Sequence, residues 1–195
     1  MANEAIEIIR AEHRSLAAVL DALNYLIDEI REGRMQPDFR LYWAMIHYIE
    51  AFPEKLHHPK EDAYLFRKLR ARTSEFDATL DELERQHVLG HAHVEELEQS
   101  IAGYETDPAG GFARFAAAVQ AFATAQTEHI ALEFKVIIPA ARVHLTEGDW
   151  REIGAAFAGN SDPRFSVDND EEFRQLFARI MNLAPEPVIG HADRG

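Results

Sequence analysis

Apolar side chains recur along most of this chain in alternating steps of three and four, and they do so in four long runs. Ile6, Ile9, Leu16, Leu20, Leu23, Ile27 and Ile30 form the first, with His13 on the same line, and Gly33 ends it. This period is that of an amphipathic helix with one buried stripe. Pro37 and Asp38 open a second run through Phe39, Tyr42, Trp43, Ile46, Ile49, Phe52 and Leu56. Pro53 and Pro59 interrupt it, and because each removes a backbone donor they predict a kink beside His57. Thr73 or Ser74 can cap the third run, Phe76, Leu80, Leu83, His87, His91, Val94, Leu97 and Ile101. A glycine-bearing loop from Gly103 to Gly111 closes it. The fourth run is Phe112, Phe115, Val119, Phe122, Gln126, His129, Glu133, Val136 and Ala140.

After His144 the pattern shortens. Thr146 and Asp149 suggest a capping box ahead of Trp150, Ile153 and Phe157, and residues 160–163 break that helix. A last amphipathic stretch carries Phe173, Leu176, Phe177, Ile180 and Met181. No segment alternates in the manner of a strand. The expectation is an all-α protein: an antiparallel up-down four-helix bundle over residues 1–145, with residues 146–195 as a C-terminal helical extension packed on its outside.

What changes this picture is that polar residues interrupt every stripe. His57 and Glu61, His87 and His91, and His129 and Glu133 are each four apart, so each pair shares a helix face. A single inward histidine such as His13 is most simply a hydrogen-bonded core residue. Burying seven such groups costs roughly 1–3 kcal/mol for each one left unpaired, which a metal would offset. The chain contains no cysteine. Imidazole and carboxylate are therefore the available metal chemistry, and disulfides, thiolate sites and cysteine nucleophiles are excluded. Five imidazoles and two carboxylates are too many for one tetrahedral zinc and too nitrogen-rich for calcium or magnesium. They suit two six-coordinate ions bridged by the carboxylates, iron first, with manganese or zinc as alternatives.

The order of these residues resembles the hemerythrin family, in particular its bacterial HHE cation-binding members. The family's pattern is a first-helix histidine, H-x3-E on the second helix, H-x3-H on the third, and a histidine followed by a carboxylate on the fourth. The resemblance implies His13, His57, Glu61, His87, His91, His129 and Glu133 as ligands of a di-iron centre with a bridging oxygen, Glu61 and Glu133 joining the irons. Two features depart from it. Glu133 follows His129 by four residues rather than the five of the oxygen carriers, and Pro59 lies inside the His57–Glu61 pair, leaving His58 with Asp62 as a competing pair. A ferritin-like carboxylate site is a further alternative, through Glu54-x-x-His57 and Glu84-x-x-His87, although these motifs fall on consecutive helices and leave His13, His91 and His129 unused.

The functional expectation is a protein that binds oxygen or a related small ligand, in a sensing, storage or iron-handling role. An enzyme reducing peroxide or oxidising a small substrate is the alternative, and an interaction module without metal is the third. Gln126, one turn before His129, could reach a bound ligand. A formal net charge of −14, from 34 acidic and 20 basic residues, argues against nucleic acid as a partner. No apolar run approaches the ~18 residues of a membrane span. A cytoplasmic location is expected, and the apolar C-terminal segment is compatible with a homodimer.

Overall fold

The computed structural model describes residues 2–159, and these are helical almost throughout. α1 is Ala2–Arg31; α2 spans residues 39–72; α3 is Asp77–Thr106; α4 spans residues 108–144; α5 is Glu147–Ala158. The first four are the bundle expected from the stripes, and no strand occurs among the described residues. The stretch from Phe173 to Met181 lies outside them.

Local chemistry sets the ends. Gly33 leaves α1 at φ +71°, a left-handed conformation natural to glycine. Asp38 accepts from the Leu41 amide at the start of α2, and Asp107 accepts from Gly110 at the start of α4, where Pro108 takes the first position. Thr146 and Asp149 form the expected capping box.

Asp149 also receives Arg72 at 2.9 Å, tying α5 to the end of α2. Burial opposes its ionisation, but the Thr146 and Arg72 contacts outweigh it and hold the carboxyl at about 2. A depressed carboxylate stabilises the fold above its unfolded value, ~3.9, and that contribution is lost as pH falls toward 2. Asp149→Ala is therefore expected to cost about 1 kcal/mol at pH 7. Thermal melts of the two proteins should converge only as pH falls below about 2.

Two of the rods are not regular α-helices. In α2, residues Glu50–His57 and Glu61–Phe66 form wide π turns, and in α4 Glu133–Ile137 does the same. The amides of His58, Arg67 and Ile138 reach back five residues, to Pro53, Asp62 and Glu133. Pro53 lies within the first of these turns, and Pro59 and Pro139 occupy the short α segments that follow the first and third. Wide turns of this kind cluster at functional sites, because each extra residue rotates the side chains that follow.

The apolar interior falls into two clusters. One holds Leu16 to Ile27 of α1, Leu41 to Phe52 of α2, Val94 to Tyr104 of α3 and Phe115 to Ala123 of α4. The other holds Ala5, Ile6 and Ile9 of α1, Leu65 to Leu69, Leu80 and Leu83, Ile137 to Ala141, and Trp150, Ile153 and Phe157 of α5. Between them, at one level of the bundle, every long helix contributes buried histidine or glutamate.

Candidate metal centre

This polar layer is built from His13 on α1, His57, His58 and Glu61 on α2, His87 on α3, and His129 and Glu133 on α4, all buried. The imidazoles fall into two sets. His13 and His57 face each other with their Nε2 atoms 3.0 Å apart. His87 and His129 meet Nε2 to Nε2 at 3.2 Å, and His58 stacks on His87 with ring centres 4.3 Å apart.

The two carboxylates span both sets. Glu61 sets Oε1 3.0 Å from His57 and Oε2 3.5 Å from His87. Glu133 sets Oε2 3.1 Å from His13 and Oε1 3.4 Å from His129. Donor atoms of His58, Glu61, His87 and His129 lie within 4.8 Å of one another, as do those of His13, His57 and Glu61. Neighbouring donors on a cation with bonds of about 2.1 Å are separated by roughly 3 Å, so these spacings are those of ligand sets.

Groups outside the layer aim the rings. Glu12 accepts from His57 Nδ1 at 2.6 Å, Asp62 from His87 Nδ1 at 2.8 Å, and Gln86 Oε1 from His129 Nδ1 at 3.0 Å. With Nδ1 so engaged, Nε2 is the nitrogen left for the centre of the layer. His13 Nδ1 has no such partner, and its ring meets that of Phe134 in a T-shaped contact with centres 5.3 Å apart.

The electrostatics of the layer are those of cations balanced against two anions. Burial disfavours the charged form of His57, yet Glu61 and Glu12 outweigh it and raise it to about 10. His87 is likewise raised to about 10 against burial, by Asp62 and Glu61. For Glu61, burial and the nearby Glu133 both favour protonation, but His57 and His87 draw it down to about 2. Glu133 is also held well below the usual carboxylate range against burial, chiefly by His129 and His13. His58 goes the other way, pushed far down by burial and the neighbouring His87, and stays neutral.

Several atoms here lack what burial normally requires. Both oxygens of Glu61, both oxygens of Glu133 and both ring nitrogens of His58 make no hydrogen bond. Metal ions between the two imidazole sets would engage these donors together, and the donor set fits a pair of imidazole- and carboxylate-bound ions.

One expected residue stands apart. The His91 side chain is 64% exposed, with Nδ1 3.8 Å from Glu54 and outside both donor groups. The inward line of α3 runs from His87 to Gly90 and Val94, and a Cβ at Gly90 would sit 2.6 Å from a Glu54 oxygen. Glu54 thus occupies the space that an inward His91 would need. The structure turns both members of the His57-His58 doublet inward, making His58 the fifth imidazole. Asp62, the partner of His58 in the competing pair, instead orients His87. Of the ferritin-like pattern, Glu84 lies on Arg70 at 3.0 Å, away from the layer. The sequence reading missed Glu12, Asp62 and Gln86 as groups that orient the rings, and the proline-flanked doublet was the signal for His58.

A cavity of about 210 Å³ opens beside the three-imidazole set, lined by His58, His87, His129 and Gln126 among others. Gln126 is buried and its Oε1 has no partner. On the opposite side a shallow apolar depression reaches His13 between Arg10, Ala17, Ile130 and Phe134.

The family model described as the hemerythrin HHE cation-binding domain matches residues 4–141, from the first turn of α1 to the end of α4. The chain belongs to this family. Comparison with curated proteins and with solved structures finds no match. The hemerythrin match covers all four rods that carry the layer and leaves α5 outside it. As a hemerythrin-type bundle the protein holds a buried cation-binding cluster of histidine and glutamate. Among the described residues no helix is long and apolar enough to cross a membrane.

Proposed function

We propose that the protein is a non-heme di-iron protein that binds oxygen or a related small ligand. The observation that carries this reading is the pair of buried carboxylates, each reaching from the two-imidazole set to the three-imidazole set. His58, His87 and His129 with one oxygen from each glutamate would hold one ion. His13 and His57 with the other two oxygens would hold the second. Iron so held supplies reversible ligand binding and one-electron redox chemistry.

The chain's own residues determine what reaches it. The second set has one donor fewer, so a small ligand would be accommodated on the His13 side. There the walls are Phe134, Ile130 and Ala17 together with Arg10 and Arg14, which favour a small neutral or anionic molecule over a hydrated cation. Glu12 holds His57 in one orientation by accepting its Nδ1 proton, and Asp62 does the same for His87. Storage or delivery of iron is a variant of the same reading.

The test is metal analysis of protein loaded anaerobically with ferrous iron, followed by its absorption spectrum on exposure to oxygen. The expected result is two irons per chain and a new visible band that reverses on removing oxygen. One iron per chain, or none, overturns the di-iron reading. Sustained consumption of added peroxide places the protein among enzymes instead.

A further inference from the structure

Among the described residues Glu54, like Glu12, is a buried carboxylate near the centre that belongs to neither donor set, but Glu12 is bonded to His57 and Glu54 makes no hydrogen bond. Its side chain is 1% exposed and neither oxygen makes a hydrogen bond. An anion in that position is costly, and burial accordingly raises its pKa. The space around it is nonetheless kept for it, since Gly90 is the residue it rests against and any larger side chain there would collide with it.

Its two oxygens look in different directions. Oε1 is 3.6 Å from Nδ1 of His58, which belongs to the three-imidazole donor set. Oε2 is 3.8 Å from Nδ1 of His91, whose ring stands in solvent. One turn earlier on α2, His47 and Glu50 lie 3.9 Å apart at the same surface. A continuous series of metal-binding side chains therefore runs from solvent, through His91 and Glu54, to His58. Two donors 3.8 Å apart can share a cation at about 2.1 Å from each, subtending about 130°.

We infer that Glu54 and His91 form a peripheral site for a divalent first-row cation, from which the ion passes by ligand exchange to His58 and the central layer. This rests on the reading of that layer as a cation centre. The exchange is one of ligands only: the bond to His91 is replaced by one to His58 while Glu54 retains the ion, and no electrons move. It accounts for three features that the central site leaves unused: the buried carboxylate without hydrogen bonds, the glycine that accommodates it, and an exposed histidine one turn beyond His87. Imidazole with carboxylate suits ferrous iron, manganese, cobalt or zinc over calcium or magnesium.

The experiment follows Co(II) uptake by the metal-free full chain, read by stopped-flow visible absorption and by final Co(II) per chain. With Co(II) held below the capacity of the central layer all of it ends there, so in His91→Gln and in Glu54→Gln the final Co(II) is expected to equal that of wild type while its uptake slows by at least about tenfold. Wild-type rates in both variants overturn the proposal. A lower final Co(II) in His91→Gln also overturns it, because His91 is then a ligand of the central pair. Should Glu54→Gln fail to fold, His91→Gln decides alone, since its ring is exposed. A wild-type chain that takes up no Co(II) removes the central reading, and is distinguishable because it fails before any variant is compared.

Discussion

Glu61→Gln is expected to reduce bound iron to near zero while leaving the chain helical. Glu61 is the carboxylate that reaches His57 with one oxygen and His87 with the other, so one imidazole set loses its donor, the other keeps only a neutral carbonyl oxygen, and the layer loses half its negative charge. An amide replaces one anionic oxygen by an NH2 group, which cannot ligate and which faces imidazoles that are themselves proton-bearing in the metal-free protein. The loss is therefore expected to exceed that from removing one histidine, which touches one set only. Glu133→Gln should behave alike. Glu84→Gln, whose carboxylate lies on Arg70, should retain full loading and serves as the control. Elemental analysis with far-ultraviolet circular dichroism reads both quantities. Undiminished iron in Glu61→Gln would show that the carboxylate does not join the two positions.

The second large effect is on protons. In the metal-free layer His57 and His87 are each raised to about 10, so both are protonated at pH 7 and stand where cations would stand. Metal binding must displace both protons. Calorimetric titration at pH 7 in buffers of differing ionisation enthalpy should thus report about two protons released per fully loaded chain, where ordinary histidines would release few. The sign follows directly. Below pH 10 each unit of added acidity strengthens the competitor, so the combined affinity should fall by on the order of a hundredfold per pH unit. Heat independent of buffer would refute the protonated layer. The same shifts bear on the metal-free fold. Groups raised above their unfolded value, ~6.5, stabilise it fully below that pH, and the contribution is lost as pH rises through about 10. The metal-free protein should therefore weaken on the alkaline side, and the loaded one should not.

The bundle was legible because every stripe kept its period. From Ile6 to Ile27, and from Phe115 to Glu133, the residues read as inward are the buried ones. His13, His57, Glu61, His87, His129 and Glu133 were found by the same rule, and the structure brings them together. His91 was read as inward by the same rule and stands in solvent instead, because period alone cannot say what occupies the far side of a seam. Gly90, one position earlier, admits the Glu54 carboxylate against α3, and that packing keeps His91 in solvent. His58 escaped for a related reason. Regular helix places adjacent residues about 100° apart, so a doublet ordinarily turns one member outward. The wide turn ending at His57 and the one beginning at Glu61 change the local winding, and both rings come inside. Pro53 and Pro59 signalled a disturbance without giving its direction. Glu12, Asp62 and Gln86 are adjacent to layer residues on the helix surface, and only the assembled bundle shows which ring each one meets.

The division of the interior into two apolar clusters has a mechanical side. Above and below the layer, side chains interdigitate as in any bundle, but across it they do not, and the halves are joined by four continuous backbones. Such an arrangement is two short cores in series with a joint between them. The contacts made in that joint, such as His13 with Glu133 and His87 with Glu61, are what fix the helices against one another at this level. Phe157 of α5 lies 5.6 Å from the His57 ring, so the joint is also in touch with the last described helix. Stiffness along the bundle is in this sense a property of the layer's contacts, rather than of the helices alone.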